Sequence, residues 1–183
     1  FVNGHSDVTA GCAVTNNEEI AEEICLLQKN FGGILGVEDA WLILRGMKTM
    51  GLRMEKSVEN AKILTKFLES QDKIKKVYYP NLTSCKFYNI HTEQASSGGA
   101  VFSFEFFEQA HLKTFLKKIK IPIYAISLGG VESIISHPAT MSHACMSEEE
   151  RLAQGVTQTL LRFSCGVEDA EDLIEDLTQA LTD

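Results

Sequence analysis

The chain has 183 residues, 44% of them hydrophobic and 23% charged, a globular composition long enough to bury a real core. A formal charge of −8, with no cluster of lysines interleaved with aromatics, excludes a phosphate-binding surface for nucleic acid. No apolar run approaches the roughly 18 residues of a membrane-spanning helix, and no signal peptide is visible.

The cysteines, Cys12, Cys25, Cys85, Cys145 and Cys165, are odd in number and lack C-x-x-C spacing. They therefore predict reduced, mostly buried thiols in a cytoplasmic protein, rather than a disulfide framework or a zinc ribbon. In chain order, FVNGHSDVTAG opens abruptly with turn glycines at Gly4 and Gly11, which reads as a segment cut from a longer protein. Cys12 to Thr15 can form a short strand. Asn16 or Asn17 caps a helix in which Ile20, Ile24, Leu27 and Phe31 recur at helical spacing, and Gly32 and Gly33 end it. A second helix, about Val37 to Arg45, is apolar around Trp41, Leu42, Ile43 and Leu44, so it is expected to be buried or at a subunit contact.

A long helix follows from about Thr49 to Ser70, with Met54, Val58, Ala61, Leu64 and Leu68 on one stripe. Its length lets it bridge two domains. Shorter elements come next: a strand at Val77 to Tyr79 stopped by Pro80, a brief polar helix around Lys86 to His91, and the alternating strand AVFSFEF after Gly98-Gly99. Leu112, Phe115 and Leu116 stripe another helix, Pro122 to Ser127 forms a strand, and a loop runs from Leu128 to Ala144. Ser147 and Glu150 box a short helix, Thr159 to Cys165 is a strand, and an acidic amphipathic helix closes the chain. The alternation predicts an open mixed or antiparallel sheet with helices on one side, a small α+β unit.

The chemistry centres on Arg162. Strand alternation places Leu160, Arg162 and Ser164 on one face and Leu161, Phe163 and Cys165 on the other. A guanidinium there must leave through a sheet edge, sit in an ordinary salt bridge, or meet an anion, whose carboxylate or phosphate its planar fork fits bidentately. ISLGGVES, Ile126 to Ser133, places a hydroxyl and two glycines directly after a strand, where backbone N–H groups are exposed to a ligand or simply turn the chain. Ser127 is not in G-x-S-x-G, and there is no Walker loop and no G-x-G-x-x-G. GHSD, Gly4 to Asp7, sets an imidazole, a hydroxyl and a carboxylate on one turn. His137, His143 and Cys145 lack metal-ligand spacing, so no metal is predicted. His91 and His111 are expected on solvated helix faces.

Five stretches together resemble the Cys/Met-metabolism family of pyridoxal-phosphate enzymes, the cystathionine lyases and synthases and the methionine lyases. They are GHSDVTAG at Gly4 to Gly11, RGMKTMGLRM at Arg45 to Met54, SLGGVES at Ser127 to Ser133, HPATMSHA at His137 to Ala144, and LLRFSCGVEDAEDLIEDL at Leu160 to Leu177. They occur in the family's order and cover almost the whole chain. The resemblance implies an α/β protein of the fold type I pyridoxal-phosphate transferase class. Residues 1–55 would end the large cofactor domain, 56–72 would link, and 73–183 would form a small substrate-carboxylate domain with an open, mostly antiparallel sheet.

By the same resemblance, the Schiff-base lysine lies immediately before Phe1, and the cofactor, pyridoxal 5'-phosphate, lies near Gly4, His5 and Ser6. Arg162 would hold the substrate's α-carboxylate beside Ser127 and the backbone of Leu128, with Ser142 helping to position the arginine. Several γ-acting members carry glutamate where this chain has Ile126, which tilts the expectation to a cystathionine β-lyase-like reaction. A γ-acting lyase or synthase is the alternative. The resemblance also implies a homotetramer of paired dimers acting on a small amino-acid thioether. A different class remains open: a non-catalytic assembly module joined through Val37 to Leu52.

Overall fold

A computed structural model describes residues 1–182. Five strands build one sheet: β1 (Ile74–Tyr78), β2 (Val101–Phe106), β3 (Ile123–Tyr124), β4 (Ile134–Ser136) and β5 (Leu160–Ser164). Their order is β1-β2-β5-β4-β3, antiparallel throughout except for the parallel β3–β4 pair at one edge. The helices are α1 (Glu18–Phe31), α2 (Val37–Met47), α3 (Met50–Glu69), α4 (Tyr88–Gln94), α5 (Gln109–Lys118), α6 (Glu148–Ala153) and α7 (Ala170–Leu181). This is the mixed α/β architecture with an open, mostly antiparallel sheet that the sequence predicts.

Alternation along β2 and β5 creates the core. Phe102, Phe104 and Phe106 point one way with Leu161 and Phe163, and Leu64, Leu68, Phe115, Leu173 and Leu177 from α3, α5 and α7 cover them. Phe102 opposes Phe163 in register, and their rings stack at 5.2 Å and 6°. Phe115 meets Phe104 edge-on at 5.9 Å and 85°, each such pair adding about 0.5–1.5 kcal/mol beyond area burial.

The opposite face carries the polar alternates. Register aligns Tyr78, Ser103, Arg162 and Ser136 in one row across four strands. Glu105 lies two residues from Ser103 on the same face and is only 3% exposed. Its carboxylate accepts from Thr157 Oγ1 at 2.8 Å, Thr159 Oγ1 at 3.2 Å and Tyr78 OH at 3.3 Å, and pairs with Lys75 Nζ at 3.3 Å. Burial pushes this carboxyl up, but the hydrogen bonds from Thr157, Lys75 and Thr159 and the Lys75 charge outweigh it and hold the group below its ordinary value. Glu105 is thus committed to its own partners.

The amino-terminal helices are differently placed. Asn17 caps α1 by accepting from Ile20 N–H at 3.1 Å, and Gly32, at φ 72°, ends it in the left-handed region. No residue of α1 is buried, and Phe31 is 85% exposed. In α2 only Gly46 is buried; Trp41, with the Arg45 guanidinium 5.8 Å over its ring, and Leu44 are both largely exposed.

Several expectations are corrected. Cys12 to Thr15 forms no strand, because no described strand pairs with it and a ladder needs a partner. β1 starts at Ile74, its alternation hidden by Lys75, Lys76 and a register shift between Ile74 and Lys76. The polar helix lies at Tyr88–Gln94, and the strand predicted over 122–127 shrinks to Ile123–Tyr124. Within the expected loop 128–144, β4 emerges at Ile134–Ser136, too short for periodicity and defined only by pairing with β5 and β3. Cys12, Cys25 and Cys145 are exposed and only Cys165 is buried, where desolvation raises its thiol. His91 is half-buried, its Nε2 3.0 Å from both Asn81 Oδ1 and Ser97 O, and His111 is half-buried too.

Because the folded carboxyl of Glu105 is depressed, its stabilisation is present above its ordinary value of 4.5 and is lost as pH falls through the lowered native value. Urea denaturation of Glu105→Gln against the parent across pH should show a deficit of about 1.5–3 kcal/mol at neutral pH that closes in acid.

Candidate functional site

Arg162 stands at the centre of β5, between Ser103 and Ser136 on the face opposite the aromatic core, and is half-buried. Its Nη2 donates to Ser127 O at 2.9 Å. Among the described residues it has no carboxylate partner, since Glu105 is taken by Lys75, Tyr78 and two threonines. A guanidinium carries five N–H donors, so a fork remains for an anion.

The loop that Arg162 holds is braced from beneath. Gly129 N–H donates to Ser164 Oγ at 2.9 Å, tying the loop to β5 two residues beyond the arginine. Gly129 has φ +79°, and a Cβ there would come within 2.5 Å of Phe1 N, so both conformation and space require glycine. Further on, Ser133 Oγ donates to Glu168 at 2.8 Å and accepts from Gly166 N–H at 3.0 Å. Asn60 of α3 completes the brace by donating to Gly166 O at 3.1 Å and Glu168 O at 2.9 Å. Loop, strand end and helix are therefore one buried polar assembly.

Facing the loop is the GHSD turn. Gly4 is buried at φ +78°, His5 Nδ1 lies 2.7 Å from Asn3 O, and Asn3 Nδ2 donates to Asp7. Ser6 holds φ 56°, a left-handed conformation that costs a non-glycine residue about 1–3 kcal/mol. Its Oγ lies 3.5 Å from where a Cβ on Gly130 would stand. Turn and loop enclose a cleft of about 680 Å³ bordered by Phe1, Ser6, Ser127, Leu128 and Gly129. That volume suits a small-molecule ligand. A larger cleft of about 850 Å³ runs along the β1 edge, away from Arg162 and the glycine loop, and gathers no comparable chemistry.

Of the residues singled out from sequence, Ser127 and Leu128 line one cleft with Gly4 and Ser6, and Arg162, outside the lining itself, is tied to its rim through Ser127 O. His5 is exposed and faces a smaller cleft of about 310 Å³ with Arg45 and Thr49. Ser142 is not brought in: it is exposed, and its hydroxyl shares a 2.8 Å hydrogen bond with His143 Nδ1. Sequence reasoning missed Arg53 and Asn60. The signal was available in the spacing of Arg53, Ser57, Asn60, Ala61, Leu64 and Leu68, all buried on one face of α3.

The model of the Cys/Met metabolism PLP-dependent enzyme family matches residues 1–182. The chain belongs to that family. Relatives include a cystathionine beta-lyase of Bacillus subtilis, 46% identical over 99% of this chain and 46% of its own length. A cystathionine gamma-lyase of the same organism is 42% identical over 99% of this chain and 48% of its own. Among solved structures, cystathionine gamma synthase from Xanthomonas oryzae pv. oryzae, in complex with aminoacrylate and cysteine, superposes with a TM-score of 0.95 at 37% identity, covering 98% of this chain and 47% of that one. The chain thus spans about half the length of the family members it matches.

Gly129→Ala places a methyl against Phe1 N at positive φ and should cost about 1–3 kcal/mol in urea denaturation, whereas Gly33→Ala, with nothing within 4 Å, should be near neutral.

Proposed function

We propose that the full-length protein is a pyridoxal-phosphate-dependent carbon–sulfur lyase, cystathionine β-lyase-like, cleaving cystathionine to homocysteine, pyruvate and ammonia. The carrying observation is Arg162, a half-buried guanidinium without a carboxylate, hydrogen-bonded to Ser127 O at 2.9 Å on the rim of the cleft where Gly129 meets Phe1.

The residues fit the cofactor. The cleft has the volume for a cofactor and a small substrate, glycine leaves room on its loop wall, and the residue preceding Phe1, read as the lysine, enters beside Gly129. When bound, pyridoxal phosphate supplies an electron sink for the pair left when the substrate's α-proton departs. Gly4 and Ser6 lie on the wall where the cofactor would sit. Arg162 receives the α-carboxylate on its open fork, a pairing that fixes both distance and plane. Ser127 O and the Gly129–Ser164 bond hold that fork still, so the substrate's Cα–H is presented in one orientation. Leu128, 46% exposed at the cleft rim, is placed to shed water when substrate enters.

Ile126, 66% exposed, offers no charge next to this loop, and that supports action at the β-carbon. The γ-acting reading draws on the gamma-lyase relative, 42% identical against 46% for the beta-lyase. We further assign residues 1–55 to the end of a cofactor domain, 56–72 to a linking helix and 73–183 to a carboxylate-binding domain. Support comes from α3, whose first turn carries Arg53 against Phe1 and whose second half packs Leu64 and Leu68 into the sheet core. The exposed apolar residues of α1 and α2 support burial of these helices in the full-length protein's homotetramer, which we place in the cytoplasm.

Assay of the full-length enzyme with cystathionine decides the bond: pyruvate with homocysteine marks β-cleavage, and cysteine with a four-carbon oxo acid marks γ-cleavage. Arg162→Ala should lower kcat/KM by about 2–5 kcal/mol in transition-state terms, with Arg162→Lys intermediate. Unchanged turnover in Arg162→Ala would remove the clamp.

A further inference from the structure

Arg53 combines burial with an unusual set of partners. It is 8% exposed, yet it meets no carboxylate. Nη1 donates to Phe1 O at 2.8 Å, Nη2 to Val2 O at 3.2 Å and Gly46 O at 2.8 Å, and Nε to Thr49 Oγ1 at 3.1 Å. Burying a cation against neutral carbonyls costs more than an apolar residue would, so fold stability alone is a poor reason to keep it. The contacts instead define a geometry: one planar fork joins the amino-terminal turn to the end of α2.

The surroundings leave that turn no slack. A Cβ on Gly4 would overlap the Arg53 guanidinium, and a Cβ on Gly46 would overlap Asn3 O. Phe1, whose carbonyl Arg53 holds, lies with its nitrogen against Gly129, on the loop that Arg162 grips through Ser127. The two guanidiniums therefore set the two walls of one cleft, Arg53 from below the turn and Arg162 from the sheet.

We propose that Arg53 is a positioning residue: it sets the height of the Phe1–Gly4 turn against the Ser127–Gly129 loop, and so the point at which the residue preceding Phe1 enters the cleft. Consecutive Cα atoms are about 3.8 Å apart, so displacement of the Phe1 carbonyl passes almost undiminished to that neighbour. The inference rests on reading the neighbour as the cofactor-bearing lysine. Lysine at position 53 would keep the charge but lose the planar fork that meets three carbonyls together.

The test uses the full-length enzyme. Arg53→Lys should lower kcat by about 10²-fold, the effect of roughly 1 Å of misplacement, while KM for the thioether stays within about twofold because Arg162 is untouched. Hydrogen exchange in the cofactor-free protein should show faster exchange of the Phe1–Gly4 amides and no change in β5. Where Arg53→Lys does not fold, Thr49→Val removes the Nε acceptor and the Thr49 hydroxyl's own bond to Gly46 O at 3.3 Å but leaves the guanidinium's three carbonyl contacts, and should give a smaller fall in kcat with the same selective exchange. Wild-type kcat per bound cofactor, or unchanged exchange at Phe1–Gly4, would overturn the positioning role. Replacing the residue before Phe1 by alanine tests the underlying reading separately. Retained activity there sinks that reading and the inference with it, whereas abolished activity beside an unaffected Arg53→Lys sinks the inference alone.

Discussion

The hydrogen bond from Arg162 to the carbonyl of Ser127 joins the middle of β5 to the loop after β3. It exists because β5 is central, with β2 on one side and β4 on the other, so its polar alternate cannot escape through a sheet edge. A guanidinium trapped in that row needs acceptors, and the carboxylate on the same face is already shared among Thr157, Thr159, Tyr78 and Lys75. One backbone carbonyl satisfies part of the cation, and the remainder is available to a ligand.

The two arginines show how environment divides one residue type between two tasks. Arg53 directs four hydrogen bonds at fixed acceptors, the carbonyls of Phe1, Val2 and Gly46 with the Thr49 hydroxyl. Arg162 keeps donors in reserve. The first kind of site fixes backbone against backbone, and the second leaves the fold with an open recognition group. Their effects meet at Gly129, where absence of a side chain lets Phe1 approach the glycine loop.

The buried aromatic core and the polar brace around Asn60 have separate consequences. Phe102, Phe104 and Phe163 hold the sheet to its helices without reference to the cleft. Asn60, Ser133, Glu168 and Gly166 use directional bonds to fix the loop's exit from the sheet. Apolar packing tolerates small shifts of position, whereas hydrogen bonds fix direction, and a ligand-orienting loop needs the latter.

Local pattern alone determined the strong elements. Alternation in AVFSFEF marked β2, the Ser147–Glu150 box marked α6, an asparagine at 16 or 17 and the glycine pair at 32 and 33 bounded α1, and the strand parity of β5 put Arg162 on the face opposite Phe163. Five ordered motifs named the family. Tertiary structure alone decided β4, the loss of a strand at Cys12–Thr15, the separate placement of Ser142, and the role of Arg53. β4 and Arg53 depend on partners distant in the chain, β4 on β5 and Arg53 on Phe1 some fifty residues away, and Gly129 likewise meets Phe1 from a remote part of the sequence. Periodicity reports which face a residue takes, because that follows from backbone geometry over a few residues. What that face meets depends on how distant segments are packed together, and no short window of sequence contains it.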